Sequence, residues 1–222
     1  EVSGVDLRRP LSAKTVAAID SGMGEYAVLV FRGQDINDEE QLAFSRALGP
    51  IESSIGGNIT RLDQRRLGTD FADVSNLDQN QNIYVRDDRR RLFNLGNRLW
   101  HSDSSFRAVP AKYSLLSARS IPADGPNTEY ADMRAAYDTL DDKIKAEVEG
   151  LICEHSLMYS RGQLGFTDFT EEEQQTFAPV RQVLVRTHPV TMRRSLFLAS
   201  HAGTIVGWPM AVARIFLRAL IE

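Results

Sequence analysis

The stretch that decides how this chain is read is Asn97-Arg98-Leu99-Trp100-His101-Ser102-Asp103-Ser104-Ser105-Phe106. Read as a strand over 98–106, it points His101 and Asp103 to one face, because side chains alternate along an extended chain. One strand then offers an imidazole nitrogen and a carboxylate oxygen to a single metal. A second His from elsewhere would complete a facial set of two imidazoles and one carboxylate, which suits Fe(II) and leaves positions open. A structural zinc site would instead use Cys or more His. The plainer alternative is a polar pair, hydrogen-bonded and inert. Trp100 and Phe106 flank the pair, and aromatic neighbours suit a strand that lines an enclosed pocket.

The rest of the chain frames that stretch. Its 222 residues are 42% hydrophobic and 25% charged, the composition of an ordinary globular chain read as one domain over 1–222. A net charge of −4 gives no electrostatic case for nucleic acid or an anionic membrane. There is no apolar run long enough to span a bilayer and no signal-peptide pattern, so the expectation is a cytoplasmic protein with no membrane partner. The lone Cys153 excludes an internal disulfide and, between apolar neighbours, reads as a buried small hydrophobe and not a nucleophile. Both ends read as cut, inside a hairpin at Glu1 and inside a helical pattern at Glu222.

Before the central stretch the pattern is helix, strand, helix. Leu11 to Tyr26 has helical spacing with Ser12 as N-cap, and Ala27 to Phe31 reads as a buried strand. Asn37 and Glu40 form a capping box for a second helix that Gly49-Pro50 stops. Residues 52–96 are polar, with one short strand near 71–76, and read as a lid or binding loop. After it, strands are expected over 112–119 and 128–131, joined by a turn at Asp124-Gly125-Pro126-Asn127. Helices follow from Asp132 and Asp141, then strands over 182–189 and 195–198 joined by a polar turn, then an amphipathic helix over 209–221. Helices around a strand-rich centre suit a jelly-roll barrel, and no Gly-rich strand-to-helix turn argues for a nucleotide fold. The fold class expected is therefore mainly β with flanking helices.

The run from Asn97 to Phe106, then Ala111 to Ala118, then Asn127 to Asp138 resembles the taurine/2,4-dichlorophenoxyacetate dioxygenase family. So do Val28 to Gln34 and Ala43 to Pro50, and the motifs occur in order. The similarity is closest to the 2,4-dichlorophenoxyacetate branch, in Leu99 to Phe106 and in Asp132 to Asp138. The resemblance implies a double-stranded β-helix, Fe(II), and 2-oxoglutarate as co-substrate, with ascorbate as activator. His101 and Asp103 match the first two metal ligands, and Thr128 matches the residue that hydrogen-bonds a 2-oxoglutarate carboxylate. A hydroxyl there donates to a carboxylate without adding a buried charge, whereas the plain reading is a β-branched strand residue. Asn97 matches a position near the substrate and co-substrate and equally reads as a turn residue; Ser104 and Phe106 follow the ligands and are expected to shape the substrate pocket, with core packing the plain reading of Phe106.

The family's distal His and the Arg that pairs with the far carboxylate of 2-oxoglutarate lie on late barrel strands, and no residue of this sequence is assigned to them. His155, His188 and His201 read as structural or surface residues, with His201 the one to check against the metal pair. The activity implied is hydroxylation of the ether carbon of an aryloxyalkanoate such as 2,4-dichlorophenoxyacetate, consuming O2 and giving a phenol, glyoxylate, succinate and CO2. The alternatives are a taurine or alkylsulfonate dioxygenase and a non-catalytic jelly-roll binding protein. An anionic substrate needs a cation, and Arg61, Arg65, Arg66 and Arg86 in the long loop are candidates. Family members are commonly oligomeric, which admits a homodimer.

Overall fold

The computed structural model describes residues 1–125 and 127–222. The expected turn at 124–127 contains Pro126, which lies outside the described residues. The chain divides into two compact units, the first made of Glu1–Glu52, Tyr113–Asp132 and His188–Arg193, the second of the remainder.

The first unit is built on two capped helices. Helix α1, Ala13–Tyr26, starts where the Ser12 side chain accepts from Thr15 N–H, and stops where Ala27 turns left-handed at φ 62°. Helix α2, Asp38–Leu48, carries the reciprocal Asn37/Glu40 box, which satisfies two of the helix-end N–H groups at once. Their apolar faces enclose Leu7, Ile19, Ile36 and Phe44, and Phe31 packs edge-on to Phe44 at 5.6 Å. The strand expected over 27–31 is reduced to a single parallel bridge between Val2 and Phe31.

The second unit holds all the paired strands among the described residues. Strand β1, Ile152–His155, lies between β2, Val180–Val183, and β5, Ala202–Ile205, antiparallel to both. Strand β3, Val185–Thr187, forms a hairpin with β4, Arg194–Leu196. The single strand expected over 182–189 thus divides at the fully buried Leu184, whose N–H goes to Leu151 and whose carbonyl accepts from Phe197. Helices α4, Met133–Thr139, and α5, Asp142–Val148, precede the sheet, and α8, Met210–Ile221, follows it. Val148, Cys153, Leu184, Ile205, Ala213 and Leu217 form the core between them. Burial alone pushes the Cys153 thiol up to about 12, so its role is packing.

A second cluster, Ile59, Phe93, Leu157, Phe166 and Phe177, joins the long polar region to α6, Leu157–Gly162, and α7, Glu171–Thr176. The polar region 52–96 forms no strand near 71–76; it has one bridge, Leu77 to Ile83, and a short helix α3, Arg89–Asn94. Ion pairs pin it, Arg66 to Asp73 at 2.7 Å and Arg89 to Asp168 and Glu173.

The chain is 34% helix and 10% strand, which corrects the expectation of a mainly β chain. The reason is pairing. A strand needs a neighbour to take its N–H and C=O groups, and the residues expected as strands over 112–119 and 128–131 join no ladder among the described residues.

Candidate functional site

The His101–Asp103 pair is not on a strand. After a 3-10 turn over Leu95–Arg98, the chain passes through successive turns, closed by Ser105 N–H to Ser102 O and Arg107 N–H to Ser104 O. Ser104 sits at φ 57°, a left-handed conformation that a side chain adopts only under constraint from its surroundings. The sequence expectation of alternation is therefore replaced by a turn, yet the turn brings the two groups together. His101 Nε2 lies 3.2 Å from Asp103 Oδ1, with the His101 side chain 27% exposed and that of Asp103 57%.

The other imidazole nitrogen of His101 is fixed. Its Nδ1 lies 2.7 Å from the Leu99 carbonyl oxygen, which only accepts, so Nδ1 carries a proton and Nε2 is the nitrogen turned toward Asp103. That backbone partner is the kind that orients metal-ligating histidines. Donors bound side by side to one ion at about 2.1 Å are about 3 Å apart, close to the spacing found here. In donor chemistry and in spacing, this pair fits two positions on a divalent metal. No group of three His, Cys, Asp or Glu side chains able to hold a metal occurs among the described residues. Without metal, the hydrogen bond to Asp103 raises the His101 pKa, against the opposing effect of burial.

Behind the pair lies a polar cluster that sequence reasoning missed. Arg161, on α6, is 4% exposed and packs over the Phe93 ring at 4.7 Å. Its Nη2 donates to Asn97 Oδ1 at 2.8 Å and its Nη1 to Ser160 Oγ at 3.2 Å. No carboxylate pairs with it among the described residues, and burial pushes its pKa down to about 10. Ser160 Oγ in turn lies 2.9 Å from Nδ1 of His201. The His201 ring is edge-on to His101 at 6.1 Å and to Phe106 at 5.2 Å. Burial first, and then the Arg161 charge, hold His201 down to about 3. His201, expected as structural or surface, is thus a buried neighbour of the His101 ring.

Of the other expected site residues, Asn97 is exposed at the end of the 3-10 turn and is Arg161's partner. Ser104 and Phe106 follow the pair directly, half-buried. Thr128 belongs to the first unit, where it is exposed. His155 is buried on β1 and His188 accepts from Val190 and Thr191 N–H in a turn. The candidate cations of the loop are largely engaged: Arg61 with Asp63, Arg65 with Ser54 and Thr60, Arg66 with Asp73, while Arg86 is exposed.

All of residues 1–222 match the family described as taurine catabolism dioxygenase TauD, TfdA family, and the chain belongs to it. It is 42% identical to an alpha-ketoglutarate-dependent 2,4-dichlorophenoxyacetate dioxygenase of Cupriavidus pinatubonensis, covering 100% of this chain and 77% of that one. It is 37% identical to an (S)-phenoxypropionate/alpha-ketoglutarate-dioxygenase of Sphingobium herbicidovorans, over 89% of this chain and 66% of that one. Among solved structures, AAD-2 in complex with Mn(II) and N-oxalylglycine superposes with a TM-score of 0.97 at 56% identity, covering 100% of this chain and 76% of that one.

Proposed function

We propose that this chain is an Fe(II)- and 2-oxoglutarate-dependent dioxygenase that hydroxylates the ether carbon of an aryloxyalkanoate such as 2,4-dichlorophenoxyacetate. The observation that carries the reading is the His101–Asp103 pair, set at ligand spacing with its imidazole oriented by the Leu99 carbonyl, in a chain of this family. Its relatives are alpha-ketoglutarate-dependent dioxygenases, and N-oxalylglycine, held with Mn(II) by the similar AAD-2, is an analogue of 2-oxoglutarate.

His101 Nε2 and Asp103 would hold the metal. The chemistry supplied by a metal bound there is oxidation: O2 is consumed, 2-oxoglutarate becomes succinate and CO2, and a hydroxyl is placed on the substrate carbon. The remaining work belongs to the chain. The Leu99 carbonyl keeps a proton of His101 on Nδ1, so that Nε2 is the nitrogen that would bind, giving up its hydrogen bond to Asp103. Thr128 is assigned to a 2-oxoglutarate carboxylate, through a hydroxyl that donates without adding charge. Asn97, Ser104 and Phe106 are assigned to the substrate side, where Phe106 gives the aryl ring an apolar neighbour and excludes water. Residues 52–96 are assigned as a lid over the pocket of one dioxygenase domain, and ion pairs hold that region. Hydroxylation of the ether carbon gives a hemiacetal, which breaks into a phenol and glyoxylate without further help. The protein works as a cytoplasmic enzyme, and a homodimer is consistent with its family. No helix among the described residues is long and apolar enough to cross a membrane.

The test is succinate release with Fe(II), 2-oxoglutarate and ascorbate, comparing 2,4-dichlorophenoxyacetate, a phenoxypropionate, taurine and no substrate. Stimulation by the aryloxyalkanoates, lost in His101→Ala and in Asp103→Ala, is the expected result. Stimulation by taurine alone overturns the substrate assignment, and no stimulation by any of them overturns the reading.

A further inference from the structure

The hydrogen-bond arithmetic at Ser160 fixes the state of His201. A serine hydroxyl has one proton to give and two lone pairs to receive with. Ser160 Oγ has three partners. The Leu157 carbonyl oxygen, at 2.9 Å, only accepts, so it takes the proton. Arg161 Nη1, at 3.2 Å, only donates, so it occupies one lone pair. The third partner is His201 Nδ1 at 2.9 Å, and one lone pair is left for it. All three contacts are satisfied together only if Nδ1 carries a proton. With the opposite tautomer, the Leu157 carbonyl and Nδ1 would compete for the single hydroxyl hydrogen. Ser160 and His201 are 0% and 1% exposed, so water cannot relieve that competition.

The frame around the ring is equally firm. Ser156 N–H donates to the His201 carbonyl, Ser200 N–H to the Trp100 carbonyl, and Gln163 Nε2 to the Ser200 carbonyl. Residues 156 to 163, the cap, body and end of α6, therefore grip His201 by both backbone and ring. Arg161 is itself seated by Gly96: a Cβ there would meet its Cδ, Nε and Cζ at 2.5 to 2.6 Å, so only glycine lets the guanidinium lie against that turn.

We propose that Ser160, backed by Arg161, is a positioning residue that holds His201 in its Nδ1–H tautomer, leaving the Nε2 lone pair of a neutral ring beside His101 and Phe106. Among the described residues, the side-chain hydrogen bond of this ring is the one at Nδ1. A lone pair is a hydrogen-bond acceptor. It receives a proton-bearing group, such as water or a hydroxyl, and gives no anchorage to a carboxylate. The anionic end of an aryloxyalkanoate is then held by another group, and His201 favours the orientation that keeps it there. The consequence for substrate orientation rests on the dioxygenase reading above; the tautomer does not.

The experiment is two-bond proton–nitrogen NMR on the full chain labelled with 15N-histidine, with His201→Gln to assign the signal. Expected at neutral pH is a His201 pattern with Nδ1 protonated and Nε2 unprotonated. Ser160→Ala should move it toward the Nε2–H form, and Ser160→Thr, which keeps the hydroxyl, should restore it. A wild-type ring protonated on Nε2 overturns the proposal, and so does a pattern indifferent to Ser160→Ala. Should Ser160→Ala fail to fold, the wild-type spectrum decides alone. In the succinate assay, Ser160→Ala should lower substrate-stimulated kcat about 10- to 100-fold, the range for residues that orient a site, with Ser160→Thr recovering most of it. An unchanged kcat overturns the positioning role. Wild-type protein inactive on every acid overturns the dioxygenase reading, while the spectrum still tests the tautomer.

Discussion

Two imidazoles are buried in the second unit, and their surroundings treat them in opposite ways. His155, on β1, has no hydrogen-bond partner for either ring nitrogen among the described residues. It is held by packing, stacked on Phe197 at 5.5 Å and 14°, with Arg186 over that same phenyl ring at 3.4 Å. His201 is held by a chain of bonds running from Asn97 through Arg161 and Ser160 to its Nδ1. Stacking fixes the plane of a ring but not which nitrogen carries the proton. A hydroxyl with its other bonds assigned fixes both. The ring so specified is the one beside the His101–Asp103 pair, and the unspecified ring lies in the sheet.

The comparison can be broken from beneath. Phe93 is 1% exposed, supports Arg161, and touches the rings of Phe166, Phe169 and Phe177. Phe93→Ala should cost about 3–5 kcal/mol, read by chemical denaturation, and should release the His201 side of the site while leaving the His155 stack intact. Gly96→Ala reaches the same network more selectively. Its Cβ must displace the Arg161 guanidinium, at about 1–3 kcal/mol, and the loss of the Asn97 bond should appear as a shifted Asn97 side-chain amide resonance.

Acid should act on both rings. Burial holds His155 down to about 4 and His201 to about 3, whereas each titrates near 6.5 when unfolded. Above 6.5 both are neutral in either state. As the pH falls below that, the unfolded chain binds protons that the folded chain refuses, so stability drops progressively toward the folded values. By pH 5 the loss is about 2 kcal/mol per ring. His155→Phe should remove one share of this acid sensitivity without touching the site, and denaturation midpoints at pH 7 and pH 5 would measure it. A variant as acid-sensitive as the wild type would show that His155 is not held neutral by its stack. The smallest effect is expected at Cys153: buried in the sheet beside His155, its thiol should resist alkylation at pH 8 until the protein is denatured.

What could be read in the sequence was what a few neighbouring residues decide. The caps at Ser12 and at Asn37 with Glu40 each act within four residues, and both are found. So are the β3–β4 hairpin and α8. Strand β1 was not legible. Ile152-Cys153-Glu154-His155 has no marked alternation, and its partners are Val180–Val183 and Ala202–Ile205, far along the chain. The reading of His101 with Asp103 expected the two side chains together on a strand; they are together, but on a turn with a left-handed Ser104. Ser160 and Arg161 gave no signal. A polar pair in Ser156-Leu157-Met158-Tyr159-Ser160-Arg161-Gly162 looks like the wet face of a short helix, and only the fold turns it inward.

The bond from Ser200 N–H to the Trp100 carbonyl also sets an order in time. It ties the residue before one histidine to the residue before the other, across about a hundred positions of chain. As the protein is synthesised, the His101 turn emerges early, but α6 and then the segment carrying His201 must follow before the pair of rings can form. Closing so long a loop is slow relative to local helix formation. During that interval His101 and Asp103 are solvent-facing groups on an unfinished turn. Assembly of this side of the site therefore waits for the segment that carries Ser200 and His201.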